Sequence, residues 1–202
     1  MSENDGQADK GEDRPPAGMH PASRRHPEGG GWIEPGAYAA PTAYVASNAR
    51  VRGRARVRDR AMVGDDAQVG GRAQVCDGAT VRDRALVLDQ AQVADRAKAA
   101  GRAVVGGKVR LTGDVRVGGD GEITAPRHVL TIGPVGPRGR TLTLHRTRGG
   151  GHRVAVGCWE GDLAALEAAL NKRPDYAADV EPLLPALRAR ATEWTDDTED
   201  DR

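Results

Sequence analysis

Six arginines occupy every second position of one short segment and are its densest chemical feature: Arg50, Arg52, Arg54, Arg56, Arg58 and Arg60. Planar guanidinium groups in an array suit phosphate or carboxylate partners. A nucleic acid, an acidic polysaccharide or the chain's own acidic C-terminus are therefore candidate ligands. No aromatic residues alternate with these arginines, so base stacking has little support. The competing interpretation is a solvated basic face that keeps the protein soluble.

The candidate catalytic residues all lie in the C-terminal third of the chain: His128, His145, His152 and Cys158. Alternation along a strand would put His152 and Cys158 on one face. A helix beginning near Asp162 would lower the pKa of the preceding thiol. Cys158 with His152 or His145 is thus a candidate nucleophile–base pair. The favoured alternative is that Cys158 is a small buried apolar residue.

These residues are positioned by a chain that repeats every six residues. Every sixth residue from Val45 to Ile123 is aliphatic apart from Ala99, and a second register, mostly alanine, runs four residues behind. Neither a helix nor an ordinary strand has this period, whereas a β-solenoid does, because each short strand stacks on the strand one coil away.

The repeat unit reads x-Val-x-(Gly/Asp)-x-Ala. Its valine points inward and the neighbours of the valine point outward. Gly or Asp stands where the chain must turn, because both tolerate turn dihedrals. Successive hexads are RVRGRA, RVRDRA, MVGDDA, QVGGRA, QVCDGA, TVRDRA, LVLDQA, QVADRA, KAAGRA, VVGGKV, RLTGDV and RVGGDG.

This block resembles the hexapeptide-repeat family, whose fold is a left-handed parallel β-helix with three hexads in each triangular coil. The resemblance implies a mainly β protein with a single-stranded left-handed solenoid of roughly four and a half coils and, as is common in that family, a homotrimer. With eighteen residues per coil, one face carries an exposed aliphatic cluster: Leu86, Leu88 and Val104. Such a patch usually marks a contact, here with the C-terminal segment or with a neighbouring subunit.

The resemblance also implies acyl transfer as a candidate activity. In this family the reaction uses a histidine base between adjacent solenoids. The block from Val45 to Thr124 contains no histidine, so it lacks both that base and the three-histidine zinc site of carbonic-anhydrase relatives. We therefore predict a non-enzymatic structural or interaction protein without cofactor or metal. One alternative is an acyl-CoA-dependent, acyltransferase-like enzyme whose base is His128 or His145. Another is a polyanion-binding module that uses the arginines.

The rest of the chain is organised around the solenoid. Residues 1–31, rich in Pro, Gly and charge, are expected to be a disordered tail, and 32–126 to hold the β-helix with an apolar N-terminal cap. Residues 127–195 read as a three-stranded antiparallel meander followed by helices. Asp162 is expected to cap the first helix and Pro174 to end it. This segment resembles a small β-β-β-α module of phage and prophage hexapeptide-repeat proteins, and is expected to act as a docking module. Residues 196–202 are expected to be a disordered acidic tail.

Composition limits the remaining classes. The 202 residues are 3% aromatic and contain no Phe, which argues against an ordinary aromatic-rich core. Two cysteines, Cys76 and Cys158, form neither a disulfide framework nor a cysteine metal site. The N-terminus has no signal-peptide core and no apolar run approaches bilayer length. We expect a cytoplasmic protein with no membrane partner and with a protein or polyanion partner.

Overall fold

The computed structural model describes residues 14–196, and residues 1–13 and 197–202 lie outside the described residues. The expected acidic tail therefore falls almost entirely outside them. A short strand β1 (Arg24–Arg25) precedes sixteen two-residue strands that form the solenoid. These are β2 Trp32–Ile33, β3 Tyr38–Ala39, β4 Tyr44–Val45, β5 Arg50–Val51, β6 Arg56–Val57, β7 Met62–Val63, β8 Gln68–Val69, β9 Gln74–Val75, β10 Thr80–Val81, β11 Leu86–Val87, β12 Gln92–Val93, β13 Lys98–Ala99, β14 Val104–Val105, β15 Arg110–Leu111, β16 Arg116–Val117 and β17 Glu122–Ile123.

The strands stack into three parallel sheets, one on each side of the solenoid. The first face contains β2, β5, β8, β11, β14 and β17, the second contains β4, β7, β10, β13 and β16, and the third contains β3, β6, β9, β12 and β15. Each residue pairs with the residue eighteen positions away, as Val87 does with Val105. The inward residue of every strand from β2 to β17 is at most 5% exposed, so the predicted valine register forms the core.

The solenoid begins earlier than the sequence predicts. Ile33 and Ala39 continue the inward register upstream of Val45 and are buried. The segment expected to cap the open end is therefore the first coil itself. Five complete coils and β17 result, rather than four and a half, and the first face spans about 24 Å at a strand spacing of ~4.8 Å.

All twelve Gly or Asp positions of the repeat have left-handed backbone conformation, with φ between 51° and 70° from Gly53 to Gly119. Six of these positions are aspartates, and each carboxylate accepts a hydrogen bond from the backbone N–H eighteen residues ahead, at 2.7–3.3 Å. Asp83, for example, accepts from the N–H of Gly101 at 2.7 Å. The aspartates therefore do more than tolerate the turn, because they also join consecutive coils at the corners.

The N-terminal cap is formed by residues that the sequence places in a disordered tail. β1 pairs antiparallel with β2 and so covers the exposed edge of the first face. On the second face, the carbonyl of Glu28 accepts the N–H of Val45 at 3.0 Å, and the N–H of Gly31 donates to the carbonyl of Val45 at 2.9 Å. The buried His26 reaches the carbonyl of Ala40 on the third face with Nε2, at 3.0 Å. The segment is ordered because it satisfies backbone groups that lack a preceding coil.

The C-terminal module follows a single 3-10 turn at Pro126–His128 and has four antiparallel strands rather than three. They are β18 Val129–Val135, β19 Arg140–Arg146, β20 His152–Val156 and the unpredicted β21 Trp159–Gly161. The helices are α1 Leu163–Leu170, α2 Pro174–Val180 and, after a 3-10 turn at Glu181–Leu183, α3 Leu184–Asp196. Asp162 caps α1 through the N–H of Ala165 at 2.7 Å, as predicted. Pro174 begins α2 instead of only ending α1, because proline suits the first helical position.

The module has a core of its own, separate from the solenoid core. Leu142, Leu144 and Val154 of the sheet pack against Leu166 of α1 and Leu187 of α3. Its sheet contacts the last coil through β19, which lies against β16 and β17. The module therefore forms the C-terminal end of the solenoid.

We predict that Asp83→Val lowers the free energy of unfolding by about 2–3 kcal/mol, because a β-branched residue is strained at positive φ and the hydrogen bond to Gly101 is lost. The matched variant Asp83→Asn should cost less than about 1 kcal/mol, since Asn adopts this conformation and keeps an acceptor oxygen. Chemical denaturation followed by circular dichroism measures both. Equal losses for the two variants would contradict the role assigned to the corner aspartates.

Candidate functional site

His128, a candidate base, is a capping residue in the structure. The side chain is 4% exposed. Its Nδ1 accepts hydrogen bonds from the backbone N–H groups of Thr124 and Ala125, at 3.2 and 3.3 Å. These N–H groups follow β17, the last strand of the first face, where no further coil offers carbonyls. Nδ1 must stay unprotonated to accept them, so it is not available to remove a proton from a substrate.

His145, the other candidate base, closes the second face in the same way. It lies on β19, is fully buried, and accepts the N–H of Gly118 with Nε2 at 3.4 Å while Nδ1 donates to the carbonyl of Arg146 at 3.2 Å. Thr143, two residues earlier on the same strand, accepts the N–H of Arg116 through Oγ1 at 3.3 Å. Burial lowers the pKa of His145 to about 4, which keeps the ring neutral.

His152 and Cys158 do not form the candidate pair. β20 ends at Val156, so Cys158 lies beyond the strand on which alternation would have aligned it with His152. Cys158 is exposed rather than buried. The Nε2 of His152 accepts the N–H of Leu163 at the start of α1, at 3.3 Å. Within the described residues no hydrogen bond joins Cys158 to His145 or His152.

The six arginines lie on the second coil rather than the first, and they do not form one patch. Arg50 and Arg52 belong to the first face and are half-buried, whereas Arg56 and Arg58 extend from the third face. Arg54 and Arg60 stand at different corners. Arg52 is already paired with Glu34, at 3.3 Å. An extended polyanion would have to wrap around an edge of the solenoid to contact all six.

One group of potential metal ligands occurs in the described part of the chain, at Asp59, Cys76 and Asp77. Burial and the Asp77 carboxylate, which accepts a hydrogen bond from the thiol, raise the pKa of Cys76 to about 11. The thiol therefore stays protonated at neutral pH, and a protonated thiol is a poor metal ligand. The two carboxylates also bond the N–H groups of the next coil, so this group is part of the corner ladder.

The aliphatic cluster is present on the first face. Leu86 and Val104 are register neighbours on β11 and β14, and Leu88 follows β11; all three are half-buried. The module attaches to the last coil through β16 and β17, and its β20–β21 hairpin lies beside the second face, where it lines a cavity with Lys98 and Ala100.

A cavity of about 230 Å³ lies in the C-terminal module, between its sheet and the helices α1 and α2. Trp159, Leu166 and Leu170 are among its apolar lining residues. Four arginines also line it: Arg116, Arg138, Arg140 and Arg173. Arg116 belongs to β16 of the solenoid, so the last coil contributes to this cavity as well.

These features define the class of the molecule as a parallel β-solenoid of five coils with an antiparallel sheet-and-helix module closing its C-terminal end. No protein-family model matches the chain, and no curated protein or solved structure matches it significantly. None of the helices within residues 14–196 is long and apolar enough to cross a bilayer.

Sequence reasoning missed the residues that close the ends of the solenoid, His26 and Thr143, and it missed the cavity. The cavity is built from six elements, β16, β19, β20, β21, α1 and α2, that span residues 116–180, so no local motif marks it. A signal did exist for the caps, because the histidines of the chain flank the repeat block and are absent from it.

We predict that His145 makes stability depend on pH. Its folded pKa, about 4, lies below the ordinary value of 6.5, so the unfolded chain takes up the proton first and stability falls as pH falls through this window. Between pH 7 and 5 the loss due to His145 should be about 2 kcal/mol. His145→Gln should remove this slope while keeping an acceptor for the N–H of Gly118. The control variant His20→Gln, at an exposed position, should keep the slope. Urea denaturation at several pH values measures the slopes, and an unchanged slope in His145→Gln would contradict the assignment.

Proposed function

We propose that the protein is a non-enzymatic scaffold, in which the solenoid is a rigid support and the C-terminal module carries the binding site. The observation that supports this most is the use made of the histidines. In His128, His145 and His152 a ring nitrogen accepts a hydrogen bond from a backbone N–H. That nitrogen is therefore not available as a general base. The cavity described above lies instead in the module.

The rigidity of the support follows from its hydrogen bonds. Every coil is joined to the next along three sheets and by at least one carboxylate that accepts a corner N–H of the following coil. A stack of this kind moves little within a coil, because each repeat is held on both sides by its neighbours. Its length also places the N-terminal cap and the module at opposite ends. We infer that the solenoid sets a fixed separation between whatever the two ends contact.

A coil deletion tests the support role. Removing residues 68–85 takes out one full coil and joins Ala67 to Leu86 in the same register, so the variant should fold with its module intact and be shorter by ~4.8 Å. Removing residues 68–76 deletes half a coil, moves later valines off the inward register and should abolish folding. Small-angle scattering and circular dichroism measure both variants. A full-coil deletion that unfolds the module would contradict the proposal.

Acetyl-CoA tests the competing enzymatic function. We expect no binding heat in calorimetry and no release of free CoA thiol with alcohol or amine acceptors, because the candidate bases are occupied by backbone donors. Turnover that is lost in folded His128→Asn or His145→Gln protein would overturn the scaffold proposal. Equal, trace release from all three proteins would be background hydrolysis and would leave the expectation met.

A further inference from the structure

The cavity of the C-terminal module has an apolar interior of defined size. Val156 and Trp159 of the β20–β21 hairpin face Leu166 and Leu170 of α1 and Val180 of α2 across it. An apolar cavity of about 150 Å³ accommodates benzene. The 230 Å³ available here therefore suits one ring or a branched aliphatic group together with a small polar substituent. It is smaller than the pockets that enclose drug-sized molecules, about 300–1,000 Å³.

The charged residues that line this interior are all basic. Four arginines and no carboxylate line the cavity. Asp175 already holds the guanidinium of Arg173 in a two-pronged pair at 3.0 and 2.8 Å. Arg116, Arg138 and Arg140, in contrast, form no direct hydrogen bond or ion pair through their guanidinium groups anywhere in the described residues, although Arg138 lies near enough to Asp175 for its charge to help lower the pKa of that carboxyl. Three guanidinium groups thus remain available at the edge of an apolar cavity.

The positive field extends past the cavity along the second face. A smaller neighbouring cavity shares Arg116, Cys158 and Trp159 with the first and continues to Lys98 and Arg82. Lys98 is the register neighbour of Arg116, on β13 and β16. The one acid that lines this second cavity, Glu160, is paired with Arg153 at 3.0 Å. An anion at the mouth therefore has cations on the side of the module and on the side of the solenoid.

From this arrangement we infer that the cavity binds a compact amphipathic oxyanion: an apolar group of about one ring that bears a carboxylate or a phosphate. The apolar group fills the space between Trp159 and Leu170, and the oxyanion accepts hydrogen bonds from Arg138 and Arg140, with Arg116 on the opposite side. Guanidinium groups bind both oxyanions in a bidentate manner. The inference rests on the proposed function, because it names the ligand class of the module that the solenoid supports.

Four probes separate the apolar contribution from the charge contribution in the full-length protein. Phenylacetate and phenyl phosphate carry both a ring and an oxyanion, phenylacetamide carries the ring without the charge, and acetate carries the charge without the ring. Binding is measured by calorimetry and by intrinsic tryptophan fluorescence, in which Trp159 is the one of the three tryptophans that lines the cavity. We expect the first two to bind roughly tenfold or more tightly than the last two, and their ranking distinguishes a carboxylate ligand from a phosphate ligand.

Matched variants locate the binding. Arg138→Ser/Arg140→Ser should weaken phenylacetate and phenyl phosphate by roughly tenfold or more, whereas Arg54→Ser/Arg60→Ser removes the same charge from exposed solenoid positions and should leave binding unchanged. Ala169→Leu adds volume to a lining position on α1 and should abolish binding without changing the charge. Circular dichroism confirms that each variant is folded.

Three outcomes overturn the inference. Acetate binding as tightly as phenylacetate would indicate a plain basic surface, and the two double variants, Arg138→Ser/Arg140→Ser and Arg54→Ser/Arg60→Ser, would then weaken binding equally. Phenylacetamide binding as tightly as phenylacetate would indicate an apolar cavity without a role for the arginines. If none of the four probes binds at millimolar concentration, the site is rejected. The scaffold function is tested separately: it would still be supported by a coil-deletion protein that is shortened as expected and by the absence of acetyl-CoA turnover.

Discussion

The structure depends on one backbone rule: an outward strand residue donates its N–H to the carbonyl seventeen residues ahead, as Tyr38 does to Ala55 at 2.9 Å. The rule holds from coil to coil, and it makes the inward register, the corner turns and the parallel sheets mutually consistent. It also leaves unsatisfied groups at both ends, since the first coil has no predecessor and the last has no successor. Buried backbone groups without partners are costly, so the end segments of the solenoid have to supply them.

Two of the candidate catalytic residues, His128 and His145, supply such partners, together with His26 and Thr143. His26 bonds a carbonyl at the first coil, and His128, Thr143 and His145 accept N–H groups at the last. A neutral imidazole suits this position because it offers one donor and one acceptor in a rigid ring. The burial that such a cap requires also suppresses protonation, as in His145. The lowered pKa of His145 therefore reflects its structural role as a cap, although in other proteins a shifted histidine pKa is often a sign of catalysis.

The six-residue period was enough to predict the solenoid, its inward valines and its corners, because the same local pattern recurs in every coil and each strand pairs with a copy of itself. Prediction failed where the pattern stops. Residues 24–31 look disordered by composition, yet they are held by the edge of the first coil, and Trp159–Gly161 becomes a strand only because β20 lies beside it. The cavity was hidden for a related reason: Arg116, Arg140, Trp159 and Leu170 approach one another only after the module folds onto the last coil. The spacing of these residues along the sequence does not show that they are close in space.

The strand edges covered at the two ends of the solenoid have a consequence for assembly. Residues 24–31 pair with the edges of the first coil on all three faces, and the module covers β16 and β17 at the other end. At the C-terminal end this covers the edges of the first and second faces, whereas no strand within residues 14–196 pairs with β15 of the third face on the side away from β12, so addition of another molecule is blocked on most but not all strand edges. The length of the stack is therefore set chiefly by how many eighteen-residue coils one polypeptide contains, and each added or removed coil changes the distance between the two ends by one strand spacing.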